Sequence, residues 1–205
     1  MQHERNLIHK YVYPVVRNDA IRYGETLSMI DLRWGIDTSN MTSQEALDKV
    51  LLICRDKIHA SRPFFITLLG TRYGSTFNRF QDIRFKDEIS ITEFEINECI
   101  SATPENAFFF IRRDIDHSDF EPRQRKLIDR ITKDYPSRIV DYKLPDNDSE
   151  NMITAAEHVF TQQMIDRARE YIVSAANQKS SNYNHEGYIR EHTSFLYGRD
   201  GSYLR

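Results

Sequence analysis

Two apolar stripes open the chain: Leu7, Tyr11 and Val15 recur every four residues, with Ile8, Val12 and Val16 beside them. That spacing predicts a helix, kinked where Pro14 removes a backbone donor and stopped at Gly24. The apolar run Thr26-Leu27-Ser28-Met29-Ile30 then predicts a strand, which ends in Asp31-Leu32-Arg33-Trp34-Gly35. Thr42 and Glu45 form a capping box ahead of a helix face made by Leu47, Val50, Leu51, Cys54 and Ile58. Pro63 to Gly70 is continuously apolar and of strand length, the pattern of a strand covered on both faces. A loop rich in Arg, Phe and Asp follows, then a short helix from about Ser90 to Ile100. Ala107-Phe108-Phe109-Phe110-Ile111 predicts a second central strand, and Leu127, Ile128 and Ile131 mark a modest helix. Arg138 to Tyr142 reads as the last strand. A long helix runs from about Asn151 to Asn177, with Ala156, Phe160, Met164, Ala168, Tyr171 and Ala175 near one face. Residues 179–194, which mix Ser, Asn, His and Tyr, read as a linker.

Helices alternating with apolar strands specify an α/β domain with a largely parallel sheet and right-handed crossovers. The chain opens on a helix, whereas doubly wound domains of this size open on a central strand. Without that strand, the one at 26–30 lacks a partner on one side and leaves backbone groups unpaired. The expectation is therefore a sheet missing its first strand, in a domain that begins upstream of Met1.

Composition narrows the class. The 205 residues suit one domain with an appendage, and a net charge of -3 gives no general case for nucleic-acid binding. Arg123, Arg125, Lys126, Arg130 and Lys133 form a basic stretch flanked by acids, which reads as a solvated helix face, with nucleic-acid contact the minor alternative. Cys54 and Cys99 fall in helical segments without metal-type spacing, so reduced, buried thiols are expected, with neither a disulfide nor a zinc site. No apolar run approaches bilayer length and no secretory leader opens the chain, which points to the cytoplasm. There is no internal repeat.

Several short motifs occur in a specific order: Met1-Gln2-His3-Glu4-Arg5-Asn6, Val15, Asp31-Leu32-Arg33-Trp34-Gly35, Arg62-Pro63-Phe64-Phe65-Ile66, Leu68-Leu69-Gly70 with Arg72-Tyr73-Gly74, and Ser90-Ile91-Thr92-Glu93-Phe94-Glu95. Over residues 1–175 this order resembles the TIR-like domain of unknown function that opens many NACHT and WD-repeat or tetratricopeptide-repeat proteins. Nephrocystin, the telomerase-associated proteins and bacterial signal-transduction NTPases are examples. Family members usually carry a strand and a Ser-Ser-Thr-Phe-like loop before the Met-Gln-x-Glu-Arg stretch, absent here. Phe195-Leu196-Tyr197-Gly198-Arg199-Asp200 resembles the start of a STAND-type ATPase module. The chain holds no Gly-x-x-x-x-Gly-Lys-Ser/Thr loop, so these residues cannot supply that module's nucleotide chemistry. The expected organisation is a TIR-like α/β domain over 1–178, then a linker and the start of a STAND/NACHT-type module over 179–205.

The resemblance implies a doubly wound, flavodoxin-like, mostly parallel sheet. Ligands of such sheets bind outside the carboxyl ends of the strands. Asp31, Arg33, Trp34, Arg72, Tyr73, Ser90, Thr92, Glu93 and Glu95 would converge there. Some TIR relatives hydrolyse NAD with a glutamate near the start of the third helix, which stabilises an oxocarbenium-like state. By that resemblance Glu93 is the first candidate carboxylate and Glu95 the second. Trp34 or Tyr73 would stack on a ring, and Arg33 or Arg72 would hold the pyrophosphate. The plainer readings stand beside these. Arg33 pairs with a neighbouring carboxylate, Trp34 plugs the sheet edge, and Ser90-x-x-Glu93 is simply a capping box. Gly70 to Gly74 lacks a full phosphate-binding glycine pattern and reads as a turn. Arg112-Arg113-Asp114-Ile115-Asp116-His117 places charges after a strand end, either touching a ligand or forming a solvated loop, and no distant metal ligands match it.

Two functions remain open on the sequence. One is an effector domain, in signalling or antiviral defence, that hydrolyses NAD or a related nucleotide when its parent protein oligomerises, with no other cofactor. The other is a non-catalytic adaptor that self-associates or recruits partners. Neither involves a membrane.

Overall fold

The computed structural model describes residues 1–30, 43–60, 64–74, 76–77, 88–144, 153–182 and 192–197. Asp31, Arg33, Trp34 and Thr42 lie outside the described residues. The first helical stretch is built of α1 (Gln2–Leu7), a wider π turn (Ile8–Val12) and α2 (Tyr13–Arg22). Pro14 explains the interruption. Its ring lacks an N–H and clashes with the carbonyl four residues back, at Lys10, and the wider turn absorbs the misfit without ending the helix. Gly24 closes the stretch in the left-handed region at φ 73°.

β1 (Thr26–Ile30), α3 (Ser43–Ala60), β2 (Phe64–Leu69), the short antiparallel pair β3 (Thr76–Phe77) and β4 (Ile89–Ser90), α4 (Ile91–Ala102), β5 (Ala107–Arg112), α5 (Pro122–Asp134), β6 (Ile139–Tyr142), α6 (Ala155–Asn182) and β7 (His192–Tyr197) complete the described chain. The main sheet has the order β1-β7-β2-β5-β6, and every pair in it is parallel. Helices flank it, giving the α/β arrangement that the alternation of helices and strands predicts and the flavodoxin-like form that the resemblance implies.

The apolar runs of β2 and β5 divide by the two-residue period of a strand. Phe64, Ile66, Leu68, Phe108 and Phe110 enter one core with Leu7, Ile8, Val12 and Val16 of the first helix and Phe160, Met164 and Ala168 of α6. Phe65, Leu69, Phe109 and Ile111 enter the other with Ile58, Ile96, Cys99, Leu127, Ile128 and Ile131 of α3, α4 and α5. A fully buried aliphatic or aromatic side chain contributes roughly 1.5–3 kcal/mol, so these two strands carry much of the fold's stability. Cys54 and Cys99 are both buried, and burial pushes the Cys99 thiol up to about 12, which makes it a poor nucleophile.

The tail corrects the sequence reading. Residues 138–142 are not the last strand, and 179–194 is not all linker: α6 continues to Asn182, and β7 inserts between β1 and β2. The physical reason is the vacancy beside β1, whose backbone groups find their partners along Thr26–Ile30 in β7. At its other end α6 starts on a capping box, with the Glu157 amide donating to Thr154 Oγ1 at 3.3 Å and the Thr154 amide to Glu157 Oε2 at 2.5 Å. Glu157 Oε1 lies 2.7 Å from His3 Nε2, tying α1 to α6.

Burial pushes the Glu157 carboxyl up, but the Thr154 amide and hydroxyl and the His3 ring outweigh it, and the net shift is downward. A carboxyl depressed on folding contributes stability that is present above its unfolded pKa and is lost as pH falls through the folded one. The wild type should therefore lose stability as pH drops below the ordinary carboxylate value of 4.5. Urea midpoints of Glu157→Gln should fall less steeply over that window. Identical slopes would contradict this account.

No helix among the described residues is long and apolar enough to cross a membrane.

Candidate functional site

Ser90, the last residue of β4, has extended backbone (φ -78°, ψ 159°), and its hydroxyl accepts the Glu93 amide at 3.1 Å. This is one arm of the expected capping box. The other arm is redirected. The Glu93 carboxylate turns across to Tyr73, whose hydroxyl donates to Oε2, and to Arg130 of α5, whose Nη2 lies 3.1 Å from Oε1. Arg130 also donates to Asn97 Oδ1 at 3.0 Å. One carboxylate thus joins the loop after β2, the start of α4 and the middle of α5.

Tyr73 is held from three sides. Its amide donates to Glu121 Oε2 at 2.8 Å, and the Arg123 guanidinium lies 6.0 Å from its ring centre. Burial, followed by the hydrogen bond and charge of Glu93, pushes its hydroxyl up to about 12. It therefore remains a proton donor throughout the neutral range. The loop carrying Tyr73 is clamped to the start of α5: the Glu121 amide donates to the Thr71 carbonyl at 2.9 Å, and Gln124 Nε2 to the Gly70 carbonyl at 2.9 Å. Gly74 closes that loop at φ 91°.

Glu95 points elsewhere. It is 2% exposed and accepts the Cys54 thiol at 3.3 Å between α3 and α4. The different faces expected for Glu93 and Glu95 are observed. Arg72 is exposed, whereas Ser90 and Thr92 are buried. The structure thus brings Tyr73, Ser90 and Glu93 together, leaves Arg72 at the surface and turns Glu95 into a helix interface.

A second polar group lies at the carboxyl ends of β5 and β6. Glu4 is fully buried at 0% exposure. The Tyr142 hydroxyl donates to its Oε1 at 3.2 Å, Arg112 Nη1 lies 3.6 Å from the same oxygen, and the Met1 amino nitrogen lies 3.1 Å from Oε2. Arg112 also grips Asp114 with two nitrogens, at 2.8–3.1 Å, and donates to the Leu144 carbonyl at 3.0 Å. Burial acts to raise the Asp114 carboxyl, but Arg112 outweighs it and holds the group below its ordinary range. Burial, then the charge of Glu4, pushes the Tyr142 hydroxyl well up. Met1 packs against Gly70, where a Cβ would come within 3.2 Å of its sulfur.

Glu4, Tyr142 and this role of Arg112 were not singled out from the sequence. The signal was present: Ile8, Val12 and Val16 continue backward, at a four-residue step, to Glu4. A carboxylate on an apolar stripe requires a buried partner. The Arg112 to His117 segment is therefore divided, with Arg112 and Asp114 in this network and Asp116 accepting the Ser118 amide at 2.8 Å in an exposed turn.

The site can position a carboxylate and a phenol at a strand-end loop, and it can brace three elements against one another. No curated protein and no solved structure gives a significant match to the chain. A family model matches residues 1–170, and on that match the chain belongs to the family described as Domain of unknown function (DUF4062).

Proposed function

We propose that this chain is the cytoplasmic effector or signalling domain of a STAND-type NTPase, and that it works as an adaptor, through self-association and partner recruitment. The observation that carries this reading is the engagement of Glu93. One of its oxygens accepts Tyr73 and the other faces Arg130, while its amide caps on Ser90. A carboxylate with both oxygens committed to bracing three elements is built for shape. Glu95 supports the same reading, because a group buried between α3 and α4 cannot reach a ligand at the strand ends.

A second reading, hydrolysis of NAD or a related nucleotide, is favoured by one observation. The Glu93 side chain keeps 18% exposure beside the Gly70–Gly74 loop. A carboxylate placed against the ribose would stabilise the positive charge that develops as the bond to nicotinamide breaks. In that reading Asp31, Arg33, Trp34 and Arg72 would hold the nucleotide.

The readings separate in one assay. The full-length parent protein and its Glu93→Ala variant are incubated with NAD under oligomerising conditions, and free nicotinamide is measured. The adaptor reading expects none above the buffer rate from either protein. Release by the wild type that is lost in Glu93→Ala would establish hydrolysis and overturn it.

A further inference from the structure

α5 buries Gln124, Leu127, Ile128 and Ile131 and turns a basic stripe outward. Arg123, Lys126, Arg130 and Lys133 recur at steps of three, four and three residues. At 3.6 residues per turn they fall within an arc of about 80° and extend along roughly 15 Å of helix. All four are exposed. The helix carries five basic residues against two acidic ones, in a chain whose net charge is -3. The stripe therefore reverses, locally, the charge of the whole molecule.

The fold uses only part of this charge. Arg130 gives one terminal nitrogen, Nη2, to Glu93 and Asn97. Arg123 lies 3.8 Å from Glu88 and 6.0 Å from the centre of the Tyr73 ring. These contacts orient the two guanidiniums, so less side-chain freedom is lost when an anion arrives. Lys126 and Lys133 make no ion pair among the described residues. Arg72, exposed on the loop clamped to the start of α5, adds a cation at that end.

We propose that the exposed face of α5 docks an acidic helical segment of a partner protein, whose carboxylates recur at the same spacing of three and four residues. This inference rests on the adaptor reading above and gives its partner recruitment a surface. Carboxylates so spaced lie on one face of a helix, and two helices laid side by side then bring opposite charges into line. Nucleic acid fits the stripe less well. Tyr73, the aromatic beside it, is 6% exposed and offers no platform for a base. Glu88, Asp129 and Asp134, all exposed, flank the stripe and would repel a continuous phosphate backbone. A bilayer surface fits no better. The exposed large apolar side chains among the described residues are Ile21, Tyr23, Leu52, Val159 and Val173, all outside α5.

The test titrates the full chain into a fluorescent, alanine-based peptide of about 15 residues with glutamates at that spacing, and follows anisotropy at low salt. A peptide of the same composition with its glutamates gathered at one end is the comparison. The spaced peptide should bind more tightly than the gathered one, and its binding should weaken as salt is added. Lys126→Glu with Lys133→Glu should weaken it about tenfold or more, because each reversal replaces an attraction by a repulsion. Lys126→Gln with Lys133→Gln should give a smaller loss, and urea midpoints should confirm that both variants fold. Lys10→Glu with Arg17→Glu makes the same change of net charge on the first helical stretch, which packs into the other core. That pair should leave binding unchanged. No binding, equal binding of the two peptides, or an equal loss in the Lys10 and Arg17 pair would overturn the proposal. So would a single-stranded oligonucleotide or vesicles of anionic lipid that bind more tightly than the spaced peptide through the same lysines. Light scattering on the same samples separates the two ideas. A mass that climbs with concentration while no peptide binds overturns this surface and leaves association standing, whereas monomers without binding overturn both.

Discussion

Phe110→Ala should destabilise the chain by about 3–5 kcal/mol, the largest loss expected from any single truncation here. Phe110 is fully buried in β5, between Leu68 of β2 and Val140 of β6 in the register of the sheet. Its ring meets Phe160 edge-on at 5.9 Å and Tyr142 at 6.5 Å. The cost has two parts, the lost transfer of a large ring from water and the cavity that β5 and α6 cannot close. A domain of this kind is stable by only about 5–15 kcal/mol in total, so the variant should have a sharply lower urea midpoint or fail to fold. Val159→Ala, on the outer face of the same α6 and 57% exposed, should change the midpoint by no more than about 0.5 kcal/mol. Comparable losses in the two variants would refute the core assignment.

Glu4→Ala should also be costly, about 1–3 kcal/mol, for a different reason. Alanine removes few packing atoms. It leaves the Tyr142 hydroxyl without its acceptor in a buried place and takes from the Arg112 guanidinium one of its two carboxylate partners, Asp114 remaining. The penalty is mostly that unmet donor, because Asp114 and the Leu144 carbonyl still hold the guanidinium. Glu4→Gln retains an acceptor oxygen and should lose distinctly less. The double variant Glu4→Ala with Arg112→Ala should lose less than the two single losses added together, because either single change already removes their mutual contact. Strict additivity in urea titrations of the four chains would show that the two side chains do not interact.

Where an element stands on one strong pattern, the sequence was enough. The apolar runs of β2 and β5 have no polar face and can only be central strands, and Leu127, Ile128 and Ile131 fix the buried side of α5. Ser90 and Glu93 announced the start of α4, and the amide-to-hydroxyl bond is there. What local rules could not give was the destination of the Glu93 carboxylate. Tyr73 and Arg130 lie 20 and 37 residues away in sequence, and pairing at such separations is a property of the folded sheet. The Glu4 network was missed for a related reason. Its stripe was legible, but its partners Arg112 and Tyr142 come from two strand ends that only the tertiary fold brings together. The strand at 192–197 was hidden because its demand is non-local: the unpaired edge of β1 calls for a partner more than 160 residues further along the chain. The start of α6 was readable and overlooked, since Thr154-x-x-Glu157 is a capping box on sight.

The central claim is that this chain acts by associating and that Glu93 braces the fold without carrying out chemistry. Its most direct test is the solution mass of the wild type and of Glu93→Gln, followed by light scattering as concentration is raised. Glutamine keeps the shape of the side chain and gives up the charge facing Arg130. The account expects the mass of both proteins to climb from monomer toward dimer along the same curve. A wild type that remains monomeric across the whole range would contradict it.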